Sequence, residues 1–155
     1  MKTWDEAWEF ALRLLGYRGR SKKELSDRLK RRGFPEDLTS GVISRLEELG
    51  LLDDATYARR WIQSRAELRP SGRHLLAWEL EQKGIDSALV RAQMDEELPL
   101  EREEELALAL ARKRLMQLKG VEKKRAWGKL ANFLSRRGFD WEVIQLVLNR
   151  LLDDD

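Results

Sequence analysis

The chain has 155 residues, with 30 Lys and Arg against 28 Asp and Glu, so its net charge of +2 indicates no particular partner. It contains no cysteine, which excludes disulfides, thiol nucleophiles and zinc–thiolate sites. No stretch approaches the roughly 18 apolar residues of a membrane span, and the N-terminus lacks a secretory pattern. We therefore expect a soluble, cytoplasmic protein without a membrane partner.

Residues 1–50 are predicted to form three helices, which make up a first repeat. Thr3 begins a Thr-x-x-Glu capping box that opens the first helix, and Ser21 begins a second box that opens the next helix. The second helix ends at Gly33, since glycine is typical of the position just after a helix. The third helix follows a proline, carries leucine and valine at helical spacing, and ends at Gly50.

Residues 51–98 are predicted to form a second repeat of three helices. Asp53 is expected to cap its first helix, because an aspartate directly before a helix is normally its N-cap. Ser71 is expected to cap the second helix, which ends at Gly84, and Asp86 to cap the third.

Residues 99–155 are predicted to form the third and longest repeat. Pro99 opens a helix that runs to about Leu118, a second helix runs to Gly138, and Asp140 caps a last helix. The chain has no sustained alternating run of β-branched or aromatic residues, so no sheet is expected. The predicted fold class is all-α, with three tandem three-helix repeats.

A basic residue, a glycine and an apolar residue recur about fifty residues apart, which is typical of stacked helical units. The three occurrences are Arg32-Gly33-Phe34, Lys83-Gly84-Ile85 and Arg137-Gly138-Phe139. Leucines lie four and eight residues before each glycine, as in the last turns of an amphipathic helix. We predict that all three glycines have positive φ and that valine at any of them destabilises its repeat by roughly 1–2 kcal/mol.

Charged residues are clustered along the chain. The basic clusters are Arg18 to Lys23, Arg28 to Arg32, Arg112 to Arg114 and Lys119 to Lys129, and the acidic ones are Asp95 to Glu105 and Asp153 to Asp155. Basic residues near helix C-termini complement the helix dipole and need no partner. The residues Arg18, Arg20, Lys22 and Lys23 precede or begin a helix, where positive charge is unfavourable, so an anionic partner surface would explain them. The acidic stretch from Asp95 to Glu105 is either a solvated linker and helix start or a segment that binds a basic groove on a partner.

Residue types that carry catalysis are nearly absent. His74 has no cysteine or second histidine with which to bind a metal, so a surface position is expected. Asp53 and Asp54 resemble a paired-carboxylate site, but a helix cap accounts for them better. The chain has neither a glycine-rich phosphate loop nor a nucleophile elbow. We predict no enzymatic activity, no metal and no cofactor.

Tryptophan is the other notable residue type, with six copies at positions 4, 8, 61, 78, 127 and 141. All six lie in predicted helices at apolar spacing, so packing in the core is the expected role. Trp8 and Trp127 lie beside basic residues, and for these two the alternative role is stacking on nucleic-acid bases.

A long central segment carries a distinctive order of residues. They are Gly50-Leu51-Leu52-Asp53-Asp54-Ala55-Thr56-Tyr57-Ala58-Arg59-Arg60-Trp61, then Arg65, Arg69-Pro70-Ser71-Gly72-Arg73, and Glu79-Leu80-Glu81-Gln82-Lys83-Gly84-Ile85. This segment resembles the RecX family of recombinase regulators. The segments from Ser21 to Leu29 and from Leu134 to Phe139 extend the resemblance over nearly the whole chain. The structural motif residues within it are Gly33, Asp53, Asp54, Tyr57, Gly72, Leu80, Gly84, Ile85 and Gly138. Most of these are caps and core residues, so they identify a fold more directly than a binding surface.

The resemblance implies an elongated, curved array of three repeats that acts as a monomer. It implies binding to the RecA recombinase filament on single-stranded DNA, inhibition of ATP hydrolysis and strand exchange, and a role in DNA repair, recombination and the SOS response. His74 stands where the family commonly has a basic residue, and the connection from Lys119 to Lys124 is longer than usual. Within the resembling segment, Arg65, Arg69 and Arg73 are the first candidates for the partner surface, followed by Arg18, Arg20, Lys22 and Lys23.

The alternative function is sequence-specific DNA binding by helix-turn-helix units in a transcription regulator. A recognition helix places its first turn against bases and phosphates. Here the third helices open with Pro35-Glu36-Asp37, Asp86-Ser87 and Asp140-Trp141-Glu142, whose carboxylates repel phosphate. Filament regulation is therefore the favoured prediction, with weak nonspecific DNA binding expected at low salt.

Overall fold

The structure, a computed structural model, describes residues 2–152, so the acidic residues Asp153 to Asp155 lie outside the described part. Within that part all regular structure is helical. The α-helices are α1 (Trp4–Tyr17), α2 (Lys22–Arg31), α3 (Glu36–Glu48), α4 (Asp54–Leu68), α5 (Arg73–Gln82), α6 (Ser87–Glu97), α7 (Leu100–Leu115), α8 (Lys123–Arg136) and α9 (Trp141–Leu152). A short 3₁₀-helix, Met116–Leu118, follows α7. The predicted all-α class and the nine predicted helices are confirmed.

Most of the predicted helix caps are present. Ser21 forms the complete capping box with Glu24, because its hydroxyl accepts the Glu24 N–H while its own N–H donates to the Glu24 carboxylate. Thr3 accepts the N–H of Glu6 at the start of α1. The carboxylates of Asp53 and Asp86 accept the first N–H groups of α4 and α6. Local sequence therefore determines where these helices begin.

Ser71 does not cap α5, so that prediction is wrong. Its hydroxyl donates to the carbonyl of Arg69 at 2.9 Å, and α5 begins two residues later at Arg73. The N–H of Arg73 instead donates to the carboxylate of Glu103 at 2.8 Å. A group thirty residues further along the chain replaces the local cap.

The three repeat glycines have φ values of 100° at Gly33, 81° at Gly84 and 90° at Gly138, so the prediction of positive φ is confirmed. The N–H of the apolar residue after each glycine donates to the carbonyl of the leucine four residues before the glycine, as in a Schellman cap. The residues after the glycines are at most 5% exposed. Each repeat therefore ends its second helix with the same buried turn.

The chain divides into two compact units. The first comprises Met1–Ala58 and Leu80–Val90, and its core is formed by α1, α2 and α3 around buried Leu25, Leu29 and Leu46. The second comprises Arg59–Glu79 and Arg91–Asp155, in which α7, α8 and α9 pack on one another around buried Leu134 and Leu148.

In the part of the chain that the structure describes, no helix combines the length and apolar character that crossing a membrane requires.

The tryptophans are less buried than the expected core role requires. Trp78 is 59% exposed and Trp141 is 52% exposed, so the prediction of core packing is wrong for both. Trp8 fits the prediction better, because it lies against the core of the first unit and stacks on Trp4 with ring centroids 6.1 Å apart. The amphipathic spacing correctly predicted that Trp78 and Trp141 lie on helices. It did not indicate how much of each helix face is buried by neighbouring helices.

Candidate functional site

The basic residues Arg18, Lys22 and Lys23, before and at the start of α2, form ion pairs within the first unit. The Arg18 guanidinium lies 3.3 Å from the Glu24 carboxylate. Lys22 and Lys23 pair with Glu47 at 3.2 Å and with Asp27 at 3.3 Å. The three basic side chains are 44–59% exposed. Exposed pairs of this kind contribute little stability, so an anionic partner can still compete for these charges.

Arg20 has a different environment from its neighbours. It is only 9% exposed, and its Nε donates to the carbonyl of Leu14 in the last turn of α1 at 3.3 Å. Burial, followed by the charges of Arg18 and Arg28, lowers the pKa of the Arg20 guanidinium. The contact with Leu14 stabilises the end of α1, which accounts for Arg20 without any partner.

Arg65 packs against its own helix in the second unit. Its guanidinium lies 4.6 Å from the ring centroid of Trp61, and its Nε is 3.5 Å from the Glu79 carboxylate. The indole N–H of Trp61 donates to the same carboxylate at 3.0 Å. Glu79 therefore holds Arg65 and Trp61 together, and 32% of the arginine side chain remains exposed.

Arg69 and Arg73 differ in how they are neutralised. Arg73 forms an ion pair with Asp95 and is 33% exposed. Arg69 is exposed and forms no ion pair within residues 2–152. Its charge acts on Arg137, whose pKa is lowered first by burial and then by Arg69. Two arginines close together without an intervening carboxylate favour an anion between or beside them.

Arg137 was not among the sequence candidates, because its place near the end of α8 suggested only a favourable interaction with the helix dipole. In the structure its Nε donates to the carbonyl of Pro70 at 3.2 Å, which holds it beside the turn before α5. The only indication in the sequence is that it is the basic residue of the third repeat signature. We define the arginine surface as Arg65, Arg69, Arg73 and Arg137, all within the second unit.

The first and second repeats are joined by contacts at the start of α2, all within the first unit. The hydroxyl of Ser21 donates to the carbonyl of Lys83 at 2.6 Å, next to the turn at Gly84. The N–H of Lys22 donates to the Asp54 carboxylate at 2.9 Å. Asp54 is the first residue of α4, so the helix that opens the second repeat caps a helix of the first.

The second and third repeats are joined in a matching way, within the second unit. The N–H of Gly72 donates to the carbonyl of Arg137 at 2.7 Å, and the N–H of His74 donates to the carbonyl of Gly138 at 3.1 Å. The N–H of Arg73 is capped by Glu103 from α7. In both junctions a carboxylate from the following repeat caps the second helix of the preceding one.

These junctions explain most of the motif residues. Asp53 caps its own helix and Asp54 caps α2, so the adjacent aspartates serve two helices rather than a metal. Gly72 and Gly138 allow two backbone segments to touch, because a Cβ on either would overlap the neighbouring segment. Burial, with a contribution from the Glu24 carboxylate, raises the pKa of Tyr57 to about 12. His74 is 71% exposed, as expected of a surface histidine.

Glu103 is the most buried carboxylate of the described residues, at 2% exposure. Burial raises its pKa, and Asp140 acts in the same direction, while the N–H and charge of Arg73 and the charge of His74 oppose them. A carboxyl group whose pKa is raised by folding stabilises the folded state below that pKa and loses this contribution as pH rises through it.

Replacing Glu103 by glutamine should therefore change how stability depends on pH. We expect wild-type protein to lose stability relative to Glu103→Gln as pH rises from about 4 towards 7, because glutamine keeps an acceptor for the Arg73 N–H without the buried charge. Urea unfolding at several pH values measures the difference. Identical pH profiles for wild type and Glu103→Gln would contradict the expectation.

Together the fold and the junctions define a class: an all-α protein of tandem three-helix repeats, joined through helix caps and glycine turns. Residues 7–46, 53–94 and 101–148 match, in this order, the first, second and third three-helix domains of RecX. The chain belongs to the RecX family, as the resemblance indicated.

Relatives with known names support the same assignment. The regulatory protein RecX of Streptomyces lividans is 33% identical over 97% of this chain and 80% of its own length. The regulatory protein RecX of Chlorobium phaeobacteroides is 37% identical over 94% of this chain and 93% of its own length. The crystal structure of RecX from Lactobacillus salivarius matches with a TM-score of 0.89 over 96% of both chains, and at 24% identity this similarity supports the fold.

Proposed function

We propose that this protein regulates the RecA recombinase by binding the RecA filament on single-stranded DNA. The observation that carries the proposal is the ordered match of all three RecX domains along the chain. Relatives that cover nearly the whole chain are named regulatory proteins. On this proposal the protein is a cytoplasmic monomer with no chemistry of its own, and its repeats span residues 1–50, 51–98 and 99–155.

The proposed mechanism is a change in subunit spacing. ATP is bound between neighbouring subunits in this recombinase family, so a protein wedged against two subunits suppresses hydrolysis and strand exchange. A repeat protein offers separate surfaces for this purpose, here the arginine surface and the basic residues Arg18, Lys22 and Lys23 around the start of α2. Two weak contacts on one filament raise the affinity through effective concentration, without any single strong contact.

The arginine surface is the favoured contact because Arg137 donates to the carbonyl of Pro70, the residue after Arg69, and neither arginine forms an ion pair within residues 2–152. Arg65 and Arg73 already hold Glu79 and Asp95, so a partner would have to compete for them. Before and at the start of α2, the exposed charges are those of Arg18, Lys22 and Lys23, while Arg20 is buried. This burial favours a structural role for Arg20 over a partner contact.

The recognition-helix alternative is less compatible with the structure. The first turn of α3 carries the carboxylates of Glu36 and Asp37, and both side chains are exposed. The first turn of α9 carries the exposed carboxylate of Glu142. Helices that read bases in the major groove carry hydrogen-bond donors in their first turn, where these helices carry carboxylates. Sequence-specific DNA binding is therefore disfavoured.

The direct test is DNA-dependent ATP hydrolysis by RecA from the same organism. Adding this protein in near-stoichiometric amounts to preformed filaments is expected to lower the hydrolysis rate severalfold, because it acts on the filament rather than as a catalyst. A parallel reaction with excess unbound single-stranded DNA controls for titration of the DNA itself. An unchanged rate at saturating protein would rule out the proposed function.

A further inference from the structure

An aromatic pair on the third repeat is left outside the core. The rings of Trp127 and Trp141 meet edge to face, with centroids 5.7 Å apart and an interplanar angle of 76°. Trp141 is 52% exposed and Trp127 is partly exposed. Beside Trp127 lies an open groove of about 430 Å³, which is also lined by Glu122, Lys123 and Lys124.

The groove carries more positive than negative charge. Lys123 and Lys124 lie four and three residues before Trp127 on α8, so all three side chains share one helix face. Lys124 is exposed and forms no ion pair within the described residues 2–152. Glu122 is the carboxylate in the lining. The patch thus combines two ammonium groups with an accessible indole.

The acidic residues around Trp141 restrict how a ligand approaches. Asp140 accepts the backbone N–H of Trp141 at 2.8 Å and lies 3.6 Å from the His74 ring, so its carboxylate is already engaged. Glu142 is exposed on α9. An anionic ligand is therefore expected to enter from the α8 side, where the lysines lie. A Cβ at Gly128 would meet nothing within 4 Å, so this side is open.

From this geometry we infer that the patch formed by Lys123, Lys124, Trp127 and Trp141 binds single-stranded nucleic acid without sequence preference. Exposed indoles stack on unpaired bases of any type, and nearby lysines contact the phosphates between them. Duplex DNA fits less well because its bases are already stacked on one another. An acidic peptide would use the lysines but leave the tryptophans without a matching group.

This site requires no recombinase, so it can be tested on the protein alone and separately from the proposed regulation of RecA. Fluorescence anisotropy of a labelled short oligothymidylate at low salt measures the affinity. We expect Trp141→Ala and Lys124→Glu each to weaken binding about five- to tenfold, since each removes one component of the contact. Lys124→Glu should also flatten the salt dependence, whereas Trp141→Ala should leave its slope unchanged.

Matched controls exist within the chain. Trp78→Ala removes a tryptophan of similar exposure on α5, and Arg91→Glu reverses an exposed charge on α6. Both should bind within about twofold of wild type, because neither lies in the patch. Trp141→Phe keeps an aromatic ring and should retain most of the affinity, which separates lost stacking from misfolding.

Four outcomes would overturn the inference. The first is that the wild type does not bind the oligothymidylate at low salt, and the second is that the patch variants bind as well as the two controls. The third is that a duplex of the same length binds as tightly as the single strand. The fourth is that a polyglutamate peptide of equal charge competes as well as unlabelled oligothymidylate, which would assign the patch to an acidic protein segment.

Discussion

Replacing Gly138 by alanine is expected to destabilise the second unit by about 3 kcal/mol, roughly three times the effect of alanine at Gly120. Both glycines have positive φ, 90° and 83°, so the backbone strain of an L-residue is similar at the two positions. A Cβ at Gly120 would meet nothing within 4 Å. A Cβ at Gly138 would overlap the backbone of Leu75, so α5 must move and the junction hydrogen bonds weaken.

Urea unfolding of the two alanine variants beside wild type measures this difference. Gly120→Ala is the matched control, since it reports the cost of positive φ alone, about 1 kcal/mol. Equal destabilisation by both variants would show that the contact between Gly138 and α5 contributes nothing. It would also contradict the close approach on which the second junction depends.

The same comparison orders the three repeat glycines, for which the sequence predicted an equal cost of roughly 1–2 kcal/mol. At Gly138 the contact with α5 raises the expected cost above that range. A Cβ at Gly33 would meet only the side chain of Lys2 at 3.6 Å, an ordinary contact. A Cβ at Gly84 would overlap the side chain of Lys23, including its Cβ, which adjusts more easily than backbone. The expected order of destabilisation is therefore Gly138, then Gly84, then Gly33. Gly84 and Gly138 each approach a residue of the repeat before their own, whereas Gly33 approaches only the side chain of Lys2, which explains why Gly33 is the least constrained.

Local features of the fold could be predicted from the sequence because their causes lie within a few residues. The Ser21 capping box and the positive φ at Gly84 each depend on one turn of chain. The cap of α5 could not be predicted, because Ser71 has the right residue type nearby while Glu103 lies thirty residues away. Only packing of one repeat on the next determines which group reaches the Arg73 N–H.

The candidate surface was predictable only in part for the same reason. The spacing of Arg65 and Arg69 along the chain suggested a basic region, but it carried no information about which carboxylates neutralise it. Glu79 pairs with Arg65, while the turn after Arg69 is bonded to Arg137, a residue from another repeat. Charge clusters along the sequence therefore overestimate exposed charge where partners come from distant helices.

Reversing Arg65, Arg69 and Arg73 to glutamate is expected to weaken filament affinity by several kcal/mol in total, because reversed interfacial charges commonly cost a few kcal/mol each. The structure shows that this triple change also breaks the ion pairs with Glu79 and Asp95. The sharper variant is Arg69→Glu alone, which breaks no ion pair of the described residues and places a carboxylate beside Arg137. This variant should lower the affinity for the filament about tenfold or more, while its melting temperature stays unchanged or rises slightly.

Affinity for preformed filaments and melting temperature, measured on the same samples, separate binding from folding. The double variant Arg73→Glu/Asp95→Arg restores an ion pair with reversed charges, so it controls for the lost pair in Arg73→Glu. Phosphate contact should make wild-type affinity for the filament fall steeply with added salt, and Arg69→Glu should flatten that slope.

A folded triple variant that still suppresses recombinase ATP hydrolysis at the wild-type concentration would exclude the arginine surface. The contact would then lie with Arg18, Lys22 and Lys23, whose ion pairs are exposed enough to exchange for an anionic partner.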